Sequence, residues 1–170
     1  MNIIRKVRLN FDSLDELLLF LQIFFLITIL PFLIKLLSIP RLMKTLTPET
    51  RKSNGALIHR ELKDKIVKYT DYILSRNFLV YKSSCLKRSL TLYHFLRKVD
   101  IDIQICFGIR YKKFFVGGKG KKKIEGHAWL LHNDEVFLEP NEDMTRTYKM
   151  TYCFPENNES KDKDNRPGVH

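Results

Sequence analysis

The sequence predicts an α+β fold, and three observations carry the prediction. Apolar residues recur at helical spacing in Ile58, Leu62, Ile66, Tyr69 and Ile73, and again in Leu86, Leu90, Tyr93 and Leu96. Strict alternation follows in Ile101, Ile103, Ile105, Phe107 and Ile109, the mark of a strand with one buried face. Turn signals at Gly117-Gly118 and Asn133-Asp134 then divide the next residues into strands joined as hairpins, which makes the sheet antiparallel. Helices first and strands afterwards, without alternation of the two, is the α+β order.

The elements follow in chain order. Leu17 to Ile34 runs for 18 residues without a charge, and its only non-apolar members are Gln22, Thr28 and Pro31. A membrane span needs about 20 such residues. The stretch therefore reads either as a helix bent at Pro31 that packs on the domain or lies in a bilayer surface, or as a short span over about 17–37. Lys35, Arg41 and Lys44 follow it, and by the positive-inside rule they keep the downstream chain cytoplasmic, at the inner face of a membrane. With only two alanines, Ala56 and Ala128, the chain offers no small-residue cleavage site after the apolar run, which argues against a signal peptide. Pro40 and the stretch from Thr47 to Thr50 look like a turn and a helix start, and Ser53-Asn54-Gly55 breaks what precedes it. An amphipathic helix with a Lys-rich face then runs through Ile58 to Ile73. A second starts at Ser83 or Ser84 as N-cap and ends near Lys98. Ile101 to Arg110 is the first strand, which Tyr111 to Phe115 extends. Gly117, Gly118 and Gly120 with Lys119 and Lys121 to Lys123 form a basic hairpin tip, Ile124 to His132 a second strand and Glu135 to Glu139 a third. Residues 155–170 read as a polar disordered tail. The domains are thus an apolar helical region over 1–50, a core over 51–154 and the tail.

Composition bounds the function. A chain of 170 residues, 44% apolar and 12% aromatic, supports one packed domain and excludes a disordered protein or a repeat array. Thirty Lys and Arg against 19 Asp and Glu give a net charge of +11, which points to an acidic partner, a membrane face or nucleic acid. The excess lies on a helix face and a hairpin tip without interleaved stacking aromatics, which favours an acidic peptide or protein over nucleic acid. Three cysteines, at 85, 106 and 153, are an odd count in a chain too large for a disulfide scaffold, so they read as a reducing compartment, with Cys106 and Cys153 as bystanders. Their spacing provides no local chelate pair, so no metal site is expected.

Cys85 falls in the first turn of its helix, where the macrodipole and backbone N–H groups favour thiolate over thiol, and Lys87 and Arg88 add positive potential. His127 lies on the second strand. If the turn centres on Asn133-Asp134, paired positions sum to about 267, which sets 128 opposite 139 and brings Glu139 close to His127. A thiol, an imidazole and a carboxylate behind it are the parts of a nucleophilic triad. The register leaves Glu142 and Asp143 open as the acid.

The runs SSCLKRSLTLYHFLRK, IDIQICFGIR and EGHAWLLHNDEVFLE resemble the core of the transglutaminase-like cysteine peptidases of lasso-peptide maturation, the microcin-processing family. Cys85, Leu86, Arg88, Ser89, Gly108, Arg110, His127, Ala128 and Trp129 match its pattern, and Glu139 stands 12 residues after His127, where the family usually has Asp. The resemblance covers residues 80–140 well. It implies a transglutaminase- or papain-like core with the nucleophile at a helix N-terminus packed on an antiparallel sheet. It further implies that Cys85 is nucleophile, His127 base and Glu139 the orienting acid, with no cofactor, in removal of the leader from a ribosomally made precursor. Arg110 and Trp129 stand beside these as substrate-binding candidates, Trp129 fitting better still as a core residue. Residues 1–80 lack the short strands of a leader-binding domain, which resembles the split form of the family. A separate leader-binding protein and a lasso cyclase are then implied as partners. Two rivals stand beside this reading: a transglutaminase-like acyltransferase using an amine in place of water, and a non-catalytic basic module for an anionic membrane or nucleic acid.

Overall fold

A computed structural model describes residues 13–48, 56–76, 84–116 and 119–155, with side chains described for all of these except 56–59 and 113–122. The polar tail beyond Pro155, the Ser53-Asn54-Gly55 break and the side chains of the basic hairpin tip up to Lys122 lie outside the described residues. The architecture is α+β and divides into two compact units, Met1–Ile103 and Gln104–His170.

The first unit is helical. Helix α1 (Leu14–Leu36) begins at Ser13, whose side chain accepts from the Glu16 amide, and continues through Pro31. It is long and apolar enough to cross a membrane by length and composition. One face buries Ile23, Ile27 and Leu30 completely. Helix α2 (Ile39–Leu46) was not expected: Pro40 does not end a helix but occupies its first turn, where a missing N–H costs nothing. It buries Leu42, Met43 and Leu46. In α3 (Ala56–Ser75) Ile66, Tyr69 and Ile73 of the predicted stripe are buried and Leu62 is half-buried, while the side chain of Ile58 lies outside the described residues.

Helix α4 (Cys85–Lys98) starts where the sequence places it, capped by Ser84, whose Oγ accepts the Lys87 amide at 3.2 Å. It buries Leu90, Leu92, Tyr93, Phe95 and Leu96, the apolar centre of this unit. Its end is a left-handed Asp100, with the Ile101 amide donating to the Leu96 carbonyl, a Schellman closure.

The second unit is a four-stranded antiparallel sheet in the order β3-β2-β1-β4. Strands β1 (Gln104–Val116) and β2 (Lys119–His132) form a long hairpin, so the lysines expected at a loop tip from residue 119 onward belong to β2. Strand β1 begins at Gln104, later than Ile101. Strand β3 (Glu135–Phe137) pairs Leu130 with Phe137, the predicted register, through a turn in which Asn133 and Asp134 both have positive φ. It stops at Phe137 instead of Glu139, because Leu138 is left-handed with φ 55°. A short helix, α5 (Glu142–Arg146), and strand β4 (Lys149–Phe154) complete the unit.

Cys106 stands opposite Cys153 in the β1–β4 register, and the two form a disulfide. This corrects the reading of these residues as bystanders. It also removes the ground on which an odd count pointed to a reducing compartment, since the three cysteines divide into one bonded pair and the free Cys85.

Candidate active site

The chemistry-bearing residues are distributed over both units, and each is placed by its own. In the helical unit, Cys85 is the first residue of α4 and is half-buried. One turn on, Arg88 makes a two-pronged ion pair with Asp71 of α3, Nε to Oδ1 at 2.7 Å and Nη2 to Oδ2 at 3.1 Å. Arg88 therefore fastens the cysteine-bearing end of α4 to α3. His94 lies elsewhere on the same helix, its Nδ1 2.7 Å from the Leu46 carbonyl, and holds α2.

In the sheet unit, alternation puts Glu125, His127 and Trp129 of β2 on one face with Cys106, Gly108 and Arg110 of β1, because these residues pair directly. His127 stands opposite Gly108. A Cβ at Gly108 would meet Trp129 Cη2 at 2.8 Å and the Lys149 carbonyl at 2.9 Å, so only glycine lets the indole lie across the strand beside the imidazole. Trp129 is 5% exposed, and its ring stacks on His127 at 5.8 Å. Tyr148 stacks on His127 as well, at 5.0 Å, and carries the Arg110 guanidinium 4.4 Å above its own ring.

Glu139 reaches His127 by a route the hairpin register does not supply. If β3 continued unbroken, residue 139 would pair with Ala128 and point to the face away from His127. The left-handed Leu138 interrupts the strand and turns Glu139 back, so that Glu139 Oε1 lies 3.7 Å from His127 Nε2. Both side chains are largely enclosed, at 8% and 13% exposure, and Nε2 has no hydrogen bond among the described residues. The alternatives Glu142 and Asp143 are exposed in the first turn of α5.

Burial, and secondarily the Arg110 cation, push the His127 pKa below the ordinary imidazole value, so the ring is held neutral, the form that accepts a proton. Arg110 itself is used internally: Nη2 donates to Glu125 at 2.8 Å and Nη1 to Thr147 at 2.9 Å. The Glu125 carboxylate raises the Arg110 pKa, and the guanidinium in turn lowers that of Glu125. Next to it an open hollow of about 590 Å³ is lined by Ile109, Arg110, Tyr111, Thr147, Lys149 and Thr151.

The structure thus brings His127 and Glu139 together, with Trp129 packed on the imidazole and Arg110 one ring away. Tyr148 and Glu125 were missed in the sequence: Tyr148 lies just ahead of β4, a strand of weak alternation, and Glu125 is recognisable only once the β1–β2 register pairs it with Arg110. No group of three or more His, Cys, Asp or Glu is arranged to hold a metal among the described residues.

A free thiol at a helix N-terminus, and a neutral imidazole backed by a carboxylate, are the components of cysteine acyl chemistry. Comparison with known proteins agrees on the class. No curated protein and no solved structure matches the chain. The family model of the transglutaminase-like superfamily matches residues 26–153, which includes Cys85, His127 and Glu139. Members of that superfamily are typically cysteine peptidases or acyltransferases. With three quarters of its length matched, the chain belongs to the transglutaminase-like superfamily.

Proposed function

We propose that the protein is a cysteine peptidase that removes the leader from a ribosomally synthesised lasso precursor peptide, with Cys85, His127 and Glu139 as its triad. The observation that carries the reading is the enclosed His127–Glu139 pair, with the imidazole Nε2 3.7 Å from the acid. The lasso assignment rests on the resemblance of the three sequence runs, and the reading takes in a separate leader-binding protein and a cyclase as partners.

In the first step His127 takes the proton from Cys85 Sγ, and the thiolate attacks the carbonyl carbon of the last leader residue. The Cys85 backbone N–H, at the positive end of α4, is an oxyanion donor. The C–N bond breaks as His127 returns its proton to the leaving amine, so the core peptide departs with a free amino terminus and the leader remains as a thioester. Water, deprotonated by His127, then cleaves the thioester to leader carboxylate and free thiol. Glu139 holds the ring orientation and stabilises the imidazolium formed in both steps.

The test is mass spectrometry of precursor incubated with the protein and the leader-binding partner, with and without added methylamine. The expected products are a leader ending in a free carboxylate and an intact core. A leader recovered mainly as its methylamide would favour the acyltransferase reading, and an uncut precursor would overturn the leader-peptidase assignment.

A further inference from the structure

Helix α1 carries two apolar faces, and the helical unit uses one. At 100° per residue, the buried Ile23, Ile27 and Leu30 cluster on one side. Leu14, Leu18, Leu21, Phe25, Phe32 and Leu36 fall on the opposite side within a stripe about 60° wide, and all are at least half exposed. The stripe runs the length of the helix, about 33 Å, a larger apolar surface than a soluble monomer leaves bare. Thr28, at its border, returns its hydroxyl to the Phe24 carbonyl at 2.7 Å, so the border offers no unsatisfied hydroxyl.

We infer that this stripe seats α1 in the plane of an anionic membrane surface, and that α1 does not cross the bilayer. Charge supports the lipid occupant. Lys35 borders the stripe, and Arg41 and Lys44 follow on α2, all three exposed at the end where Leu36 and the half-exposed Ile39 continue the apolar surface. Packing excludes the span. The other side of α1 is tied to α3 by the Glu16–Lys65 ion pair, by Tyr69 OH donating to Glu16 at 3.5 Å and by Phe20 set edge-on to Tyr69 at 5.6 Å. Helix α3 exposes Arg60, Glu61, Asp64 and Lys68 and cannot follow α1 into hydrocarbon. An in-plane helix satisfies both sides, with the stripe in the acyl boundary and α3 toward water.

Flotation of the full chain with vesicles, either phosphatidylcholine alone or mixed with phosphatidylglycerol, tests the inference independently of any peptidase activity. Binding to the anionic vesicles is expected. Phe25→Glu with Phe32→Glu should lower it at least tenfold while the circular dichroism spectrum is unchanged, and replacing Lys35, Arg41 and Lys44 by Gln should cost about fivefold per charge. Tryptophan placed at 18, 25 or 32 should be quenched equally by lipids brominated at one shallow depth, after subtraction of the Trp129 signal. Deepest quenching at 25 with shallow ends would show a span and overturn the inference. Absence of vesicle binding, or a dimer in solution that Phe25→Glu dissociates without any vesicle binding, would overturn it as well.

Discussion

Gly108→Ala introduces one methyl group at the point where the site is most tightly built. The new Cβ falls 2.8 Å from Trp129 Cη2, 2.9 Å from Trp129 Cζ3 and 2.9 Å from the Lys149 carbonyl oxygen. Carbon contacts relax at about 3.5–4.0 Å, so something must move by more than half an ångström. The carbonyl belongs to β4 and cannot rotate away. The indole is buried and stacked on His127, so its displacement is passed to the imidazole. Overpacking of this kind costs about 1–3 kcal/mol, which lowers the Tm of a chain of this size by roughly 2–12 °C. Precursor cleavage should fall further than the stability loss explains, since a misplacement of about 1 Å at a reacting group costs on the order of a hundredfold. Thermal melts and cleavage rates are compared for Gly108→Ala, Trp129→Phe and the double variant. Phenylalanine lacks the ring carbons that clash, so the double variant should be more stable than the sum of the single losses by about 0.5–3 kcal/mol. A Gly108→Ala protein with unchanged melting and unchanged rate would refute the packing argument.

Four further outcomes follow from the same geometry. His127 is held neutral by burial and by Arg110, so the acid limb of kcat/KM should lie below the usual imidazole value of about 6.5, and Arg110→Gln, which removes the cation, should move it to higher pH. Because the folded pKa is depressed, the associated stability is complete above about pH 6.5 and is lost as pH falls through the folded value, and His127→Gln should flatten that part of a pH-dependent melting curve. Glu139→Gln should keep the fold and lower kcat by at least about tenfold with little change in KM, as read by steady-state cleavage. Asp71→Asn weakens the half-exposed ion pair to Arg88 and should cost about 1 kcal/mol or less in urea titration, with a double-mutant cycle against Arg88→Gln giving the coupling.

Local signals made much of this fold legible. Ser84 followed by a helical stripe marked the start of α4, and Asn133-Asp134 set the register that pairs Leu130 with Phe137. The same register, continued, sends Glu139 to the wrong face. What corrects it is a left-handed leucine, a conformation for which leucine has no preference, imposed by the tertiary structure. The disulfide was hidden for a related reason. Pairing Cys106 with Cys153 requires β4 to lie beside β1, and β4 alternates too weakly to be placed from sequence, especially with the ladder shifting register between Phe107 and Gly108. Tyr148 escaped with it. Helix α2 was missed because Pro40 reads equally as a turn or as a first helical turn. The apolar run was visible at once, but only packing separates its buried face from its bare one.

The proposed reaction turns on Cys85 as the nucleophile. Cleavage of the precursor by Cys85→Ala, followed by mass spectrometry beside the parent protein at equal concentration and with matched circular dichroism, tests it most directly. The parent is expected to release leader and core, and the Cys85→Ala protein neither. Core peptide appearing at the parental rate from Cys85→Ala would contradict it.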